Sequence, residues 1–177
     1  MADAFADLLP TLYRRHTVDA PFEPNAKQAG KRALSNAALS LLTRNDDGVL
    51  AQEQYDAADN MTQQLSALAN LVRAGRGNKA VEAFEAQWKA DRLVMDKWFG
   101  LQVMEADPED AHEVVETLTK HPDFNWKNPN RFRALLGGLA PRMQPWLRAR
   151  TVAGLSAPMG DALDGALLLA GYGRAAR

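Results

Sequence analysis

The chain has no cysteine, which excludes disulfides, thiolate metal sites and a cysteine nucleophile, and accords with a reducing compartment. Cytoplasm is the location expected from that. Long apolar runs are missing too. The longest, near Leu167 to Ala170, falls far short of the ~20 residues that span a bilayer, and no basic-then-apolar leader opens the sequence, so no membrane partner is expected. A surplus of one charge sign is also lacking: 21 basic residues stand against 22 acidic ones, a formal charge of -1. That balance leaves no electrostatic footprint for nucleic acid. Alternating and β-branched runs are scarce, which argues against a sheet.

What remains is apolar residues at spacings of three and four along 177 residues, enough for one domain that removes roughly 70% of the unfolded chain's surface from water. The first helix is expected from Ala2 to His16, kinked or interrupted at Pro10. A second opens at Pro24, with Leu34, Ala38, Leu41 and Leu42 as its apolar stripe, and ends at Asn45-Asp46-Asp47-Gly48. Val49 to Ala58 follows, then a helix capped by Asn60 whose Met61, Leu65, Leu68 and Val72 share a face as far as Gly75. Asn78 caps a helix bearing Val81, Phe84 and Trp88. Leu93 to Met104 is apolar all round, which places it centrally. Asp107-Pro108 and Asn128-Pro129 read as cap-and-proline starts of two more helices, with Ala111, Val114, Val115 and Leu118 buried in one, and Phe132, Leu135, Leu136 and Leu139 in the other. Linkers this short make neighbouring helices antiparallel, so the expected fold is all-α, stacked helical hairpins in the manner of an α-solenoid.

No catalytic residue emerges. His112-Glu113-Val114-Val115-Glu116 approaches the zinc-peptidase pattern, in which two histidines one turn apart hold the metal. A glutamate stands at the second histidine position, and only His16 and His121 remain elsewhere, so a solvated helix face is expected and no metal. Ser35, Ser40, Ser66 and Ser156 lack a strand-to-helix elbow and a histidine base. Gly75 and Gly77 make too short a nest to cradle a phosphate. Asp46-Asp47 and Glu109-Asp110 suit turns and helix ends. Asp96-Lys97 reads as a structural pair in the buried helix. Arg131 and Arg133 stand out, because a first-turn arginine opposes the helix dipole and the two point to different sides. Either a structural salt bridge or an anionic group in a cleft would account for them.

Four segments, in order, carry a resemblance: Gly30-Lys31-Arg32-Ala33-Leu34-Ser35-Asn36, Tyr55-Asp56-Ala57-Ala58-Asp59-Asn60-Met61-Thr62, Leu93-Val94-Met95-Asp96-Lys97-Trp98-Phe99 and Asn128-Pro129-Asn130-Arg131-Phe132-Arg133. Over about residues 25–140 they resemble the C-terminal helical domain of the bacterial aminopeptidase N family. The resemblance implies a HEAT/ARM-like superhelix fragment that covers a catalytic cleft and restricts peptide access. Zinc and peptide hydrolysis belong in that family to a separate thermolysin-like domain, so no cofactor is expected in this chain and no peptidase activity in isolation. The implied partner is the catalytic domain of the parent enzyme, with peptides engaged only in the full-length context. By the same resemblance Arg133 faces the internal cavity, with Arg131 the weaker candidate.

Residues 1–140 are thus the helical-repeat part, and residues 141–177 a divergent tail with one terminal helix over Leu155 to Arg177. Read one base out of register, the codons of Arg142 to Pro145 accommodate Asn-Ala-Ala and those of Arg150 to Gly154 accommodate Asp-Gly-Ser-Gly, as the family has it. A frameshifted gene or a naturally divergent tail would both account for this. The alternative function is a free-standing helical-repeat module that binds proteins or peptides. Under the fragment reading, a face left uncovered predicts weak self-association.

Overall fold

The computed structural model describes residue 5 and residues 7–138. The expected tail, its terminal helix and Leu139 lie outside these residues, as does the start of the first helix at Ala2. The described helices are α1 (Leu8–His16), α2 (Ala26–Leu42), α3 (Val49–Ala57), α4 (Met61–Arg73), α5 (Asn78–Trp88), α6 (Arg92–Glu105) and α7 (Ala111–Thr119), followed by α8, helical over 129–138. No strand occurs among the described residues. The architecture is the all-α stack of hairpins that the spacing implies.

Local chemistry sets most boundaries, though not always at the expected residue. Pro10 neither kinks nor ends α1: it sits in the first turn, where its missing N–H is not needed. Pro24 lies outside α2, which is capped by Asn25, whose side chain accepts from the Gln28 N–H. Asn60 caps α4 as expected. Gly75 closes that helix at φ 70, with the Arg76 N–H reaching back to the Leu71 carbonyl at 2.9 Å, a Schellman end. Asn78 is not a cap but the first residue of α5, after Gly77. A Cβ on Gly77 would stand 2.7 Å from Val72 Cγ2 and 2.8 Å from its Cα, so the hairpin closes here only without a side chain. Asp107-Pro108 opens a turn rather than a helix, and α7 begins three residues later after Asp110. Asn128 does cap α8, its Oδ1 accepting from the Asn130 N–H at 3.1 Å.

The hairpins build two layers. In one, α2 packs on α4 and α4 on α6, and α6 meets α8 where the Cβ position of Gly100 comes within 3.1 Å of the Ala134 carbonyl oxygen. In the other, α1, α3, α5 and α7 do not pack closely on one another. Long side chains span those wider gaps instead: the Tyr13 hydroxyl donates to Gln54 of α3, and the Tyr55 hydroxyl donates to the Ala80 carbonyl of α5 at 3.0 Å. The even-numbered helices therefore form the tighter side of the stack. Because neighbours alternate in direction, these four run parallel to one another.

The core runs between the layers through Leu39, Leu68, Leu71, Phe84, Met95, Phe99, Val103 and Leu135. Each such side chain, fully withdrawn from water, contributes about 1.5–3 kcal/mol. Helix α6 is central as expected, touching α4, α5 and α7. Its two ends are not buried, since Leu93 is 69% exposed and Met104 53%. The stripe expected for α2 needs correction: Leu34 is exposed, and the helix buries Arg32, Ser35, Ala38 and Leu39. Helix α1 packs on α2, and Arg32 donates to the Glu23 carbonyl of the loop before it at 3.3 Å, while Leu34 stays outside these contacts.

Candidate functional site

The two sequence-derived arginines part company. Arg131 is buried, its Nε donating to Asp96 Oδ1 at 2.5 Å and its Nη1 to the Asp123 carbonyl at 3.1 Å. Its guanidinium also lies over the Phe99 ring, 4.5 Å from the centroid. A first-turn arginine is tolerated here because Asp96, on the neighbouring helix, neutralises it. Asp96 is consequently not paired with Lys97, which points outward and is exposed. Arg133, two residues on, is exposed, and the contact it makes is from Nη1 to Asn130 Oδ1 at 3.5 Å.

Arg133 stands on the open surface of the even-numbered layer. The exposed positions of those helices fall at helical spacing: Gly30, Leu34 and Ala37 on α2, Thr62 and Arg73 on α4, Lys97 and Met104 on α6, Asn130, Arg133 and Gly137 on α8. Side-by-side packing of the helices joins these stripes into one face. Its charge is one-sided. Helices α2 and α4 and the described part of α8 contain no acidic residue, and the two on α6 are already engaged, Asp96 by Arg131 and Glu105 by Arg73 at 2.5 Å. Lys27, Lys97 and Arg133 have no carboxylate partner among the described residues. The opposite layer is acidic from α3 onward, with Glu53 and Asp56 on α3, Glu82 on α5, and Glu113 and Glu116 on α7 all exposed, while α1 carries exposed Arg14 and Arg15. The near-zero net charge therefore conceals a separation of charge across the fold.

The zinc-like segment behaves as a solvated face. His112 is exposed and its Nδ1 lies 3.1 Å from the Glu109 carbonyl. Glu116 accepts from Lys120 Nζ at 2.8 Å, and that bond, with the lysine's charge, holds the carboxyl below its ordinary range. A different trio was missed by sequence reasoning: Glu85, His121 and Asp123 bring one potential ligand atom each within 4.8 Å of one another. Glu85 stands 36 positions from His121, so no sequence spacing signals the trio. The Asp123 backbone N–H points at His121 Nδ1 at 3.1 Å, so Nδ1 accepts and Nε2 carries the proton that it donates to Glu85 Oε1 at 3.0 Å. The carboxylate on Nε2 is a partner that a metal-bound histidine would share, but the Asp123 N–H occupies the Nδ1 lone pair that a metal would need. Trp98 and Phe99 pack on the ring with centroids at 5.2 and 5.3 Å, fixing it as part of the core edge.

Residues 1–154 match a protein family described as a domain of unknown function (DUF3458_C) with ARM repeats. Among curated proteins the chain is 40% identical over 139 residues to aminopeptidase N of Caulobacter vibrioides, covering 76% of this chain and 16% of that protein. It is 40% identical over 112 residues to aminopeptidase N of Haemophilus influenzae, covering 62% of this chain and 13% of the relative. The Escherichia coli K12 aminopeptidase N is 32% identical over 145 residues, again spanning 16% of the relative. Among solved structures, Legionella pneumophila aminopeptidase A in complex with aspartic acid superposes with a TM-score of 0.69 at 29% identity, over 78% of this chain and 18% of that one. The chain thus spans less than a fifth of the length of these relatives. It belongs to the DUF3458_C ARM-repeat family and corresponds to a C-terminal helical segment of aminopeptidase N.

Proposed function

We propose that this chain is the non-catalytic helical portion of a zinc aminopeptidase, that it covers the catalytic cleft and restricts which peptides enter, and that it hydrolyses none by itself. The observation that carries this reading is the open face of α2, α4, α6 and α8, with Arg133 exposed on it, in a segment aligned with 16% of the Caulobacter enzyme. The rest of such a relative would supply the zinc ligands and the water-activating carboxylate, and this segment would supply a wall. Arg133 would meet a peptide in the enclosed space, a role its exposure supports. Arg131 serves there indirectly, by holding α8 against α6 through Asp96. The compartment proposed is the cytoplasm, and no described helix is long and apolar enough to cross a membrane.

The test replaces the aligned segment of the Caulobacter enzyme with this chain and follows hydrolysis of alanyl peptides of increasing length. Cleavage should fall as length grows, as a covered cleft requires. Equal cleavage of long and short peptides, with the hybrid folded, would overturn the covering role. The isolated chain with added zinc should leave an alanyl chromogenic substrate intact, and turnover abolished by E113Q would overturn the non-catalytic reading.

A further inference from the structure

The reading above makes the open face a wall. Its chemistry says more, because a wall with no preference has no reason to carry cations without carboxylate partners beside aliphatic side chains. Exposed Lys27, Lys97 and Arg133 lie on the even-numbered helices without carboxylate partners among the described residues, while the acidic side chains of α6 are bound inward or sideways by arginines. Leu34 and Leu93 are 43% and 69% exposed on the same layer. The four helices run parallel, so their N-terminal ends lie along one edge of this face, where the Asp91 carboxylate already answers the partial positive charge of α6. Lys97 is in the second turn of α6 and Arg133 in the second turn of α8, on adjacent helices joined at Gly100 and Ala134. The two cations therefore stand at the same level across the face.

We propose that this face binds an acidic peptide in extended, polyproline-II form, running across the helices, with carboxylates against Lys97 and Arg133 and an apolar residue against Leu93, one turn from Lys97. The proposal rests on the cleft-wall reading and gives it a substrate class. Spacing supports it. Adjacent packed helices are about 8–10 Å apart, and a polyproline-II chain advances about 3.1 Å per residue with three residues per turn, so acidic residues three apart share one side and meet cations on neighbouring helices. From α3 onward the acidic odd-numbered layer repels the same ligand, which confines it to one side of the fold.

Binding is measured by fluorescence polarisation on the full 177-residue chain. The probe is a fluorescein-labelled peptide with glutamate at every third position and leucine or alanine between; the control carries lysine in place of glutamate. The acidic probe should bind at low salt, weaken several-fold as the screening length shortens, and weaken about ten-fold in a K97E/R133E variant. The control should bind at least several-fold more weakly. Both substituted residues are exposed and outside the core, so circular dichroism should show the variant folded, and an R14E variant in the other layer should bind as the unsubstituted chain does. Equal binding of the two peptides, or binding indifferent to K97E/R133E, overturns the proposal. So does self-association at the probe concentrations, seen by light scattering, that the K97E/R133E variant abolishes. A hybrid enzyme that still excludes long peptides while the chain shows no acidic selectivity overturns this inference alone and leaves the wall standing.

Discussion

Arg131 and Asp96 join α8 to α6 through an ion pair at 2.5 Å in which the side chains are 5% and 15% exposed. A pair so far from water is costly to leave half-made. R131M should destabilise the chain by about 3 kcal/mol, because Asp96 would remain desolvated without its cation. Urea unfolding followed by circular dichroism measures this, with R133M as the exposed comparison, expected to lie within about 0.5 kcal/mol of the parent. Equal losses in the two variants would contradict the buried-pair account.

Two glycines make opposite predictions. G77A should cost about 2 kcal/mol, since its Cβ would overlap Val72, including backbone atoms that cannot rotate away. Shortening Val72 to alanine as well should recover only part of that loss. G30A meets nothing within 4 Å in the middle of an exposed helical surface, and should stabilise by about 0.5–1 kcal/mol through helix propensity. Thermal melts of the variants decide both.

Alkaline pH should weaken the fold through Tyr13 and Tyr55. Burial, chiefly, and then nearby acidic side chains raise both phenols above the ordinary 10.0. A raised folded value means that the unfolded chain releases these protons first. The associated stability is complete below about pH 10 and is lost as pH climbs through the folded values. Urea midpoints at neutral and alkaline pH should diverge in the parent and converge in a Y13F/Y55F variant, whose lost hydroxyl bonds to Gln54 and Ala80 lower its stability at both pH values alike.

Zinc added to the chain should leave its melting temperature unchanged, because His121 already accepts at Nδ1 and donates at Nε2. Stabilisation by zinc that disappears in H121A would show that the Asp123 loop gives way to a ligand.

Much of this fold was readable from sequence because helix periodicity, Asn60, Gly75 and Asn128 act over a few residues. Errors cluster where a decision depends on a neighbour far along the chain. Leu34 was placed inside by periodicity, but the alternatives Ser35 and Leu39 lie on the same helix, and only the packing of α1 and its loop selects between them. Asp96 was paired with its sequence neighbour Lys97, whereas its true partner is 35 positions away. The awkwardness of Arg131 and Arg133 was visible as a dipole conflict. Which arginine turns inward was not, since that depends on where Asp96 and Phe99 sit. The charge separation between layers was hidden for a similar reason: it cancels in the sum and appears only once alternate helices are assigned to opposite sides.

The unequal spacing of the two layers has a mechanical consequence. Along the even-numbered side, backbone meets backbone, as at Gly100 and Ala134, and such joints are stiff. Along the other side, single hydroxyl tethers from Tyr13 and Tyr55 bridge the gaps, and these can swivel. Flexing should therefore pivot about joints such as that of Gly100 with Ala134, so that the outer helices fan and regroup while the basic surface holds its spacing, much as a fan's ribs move about a fixed pin.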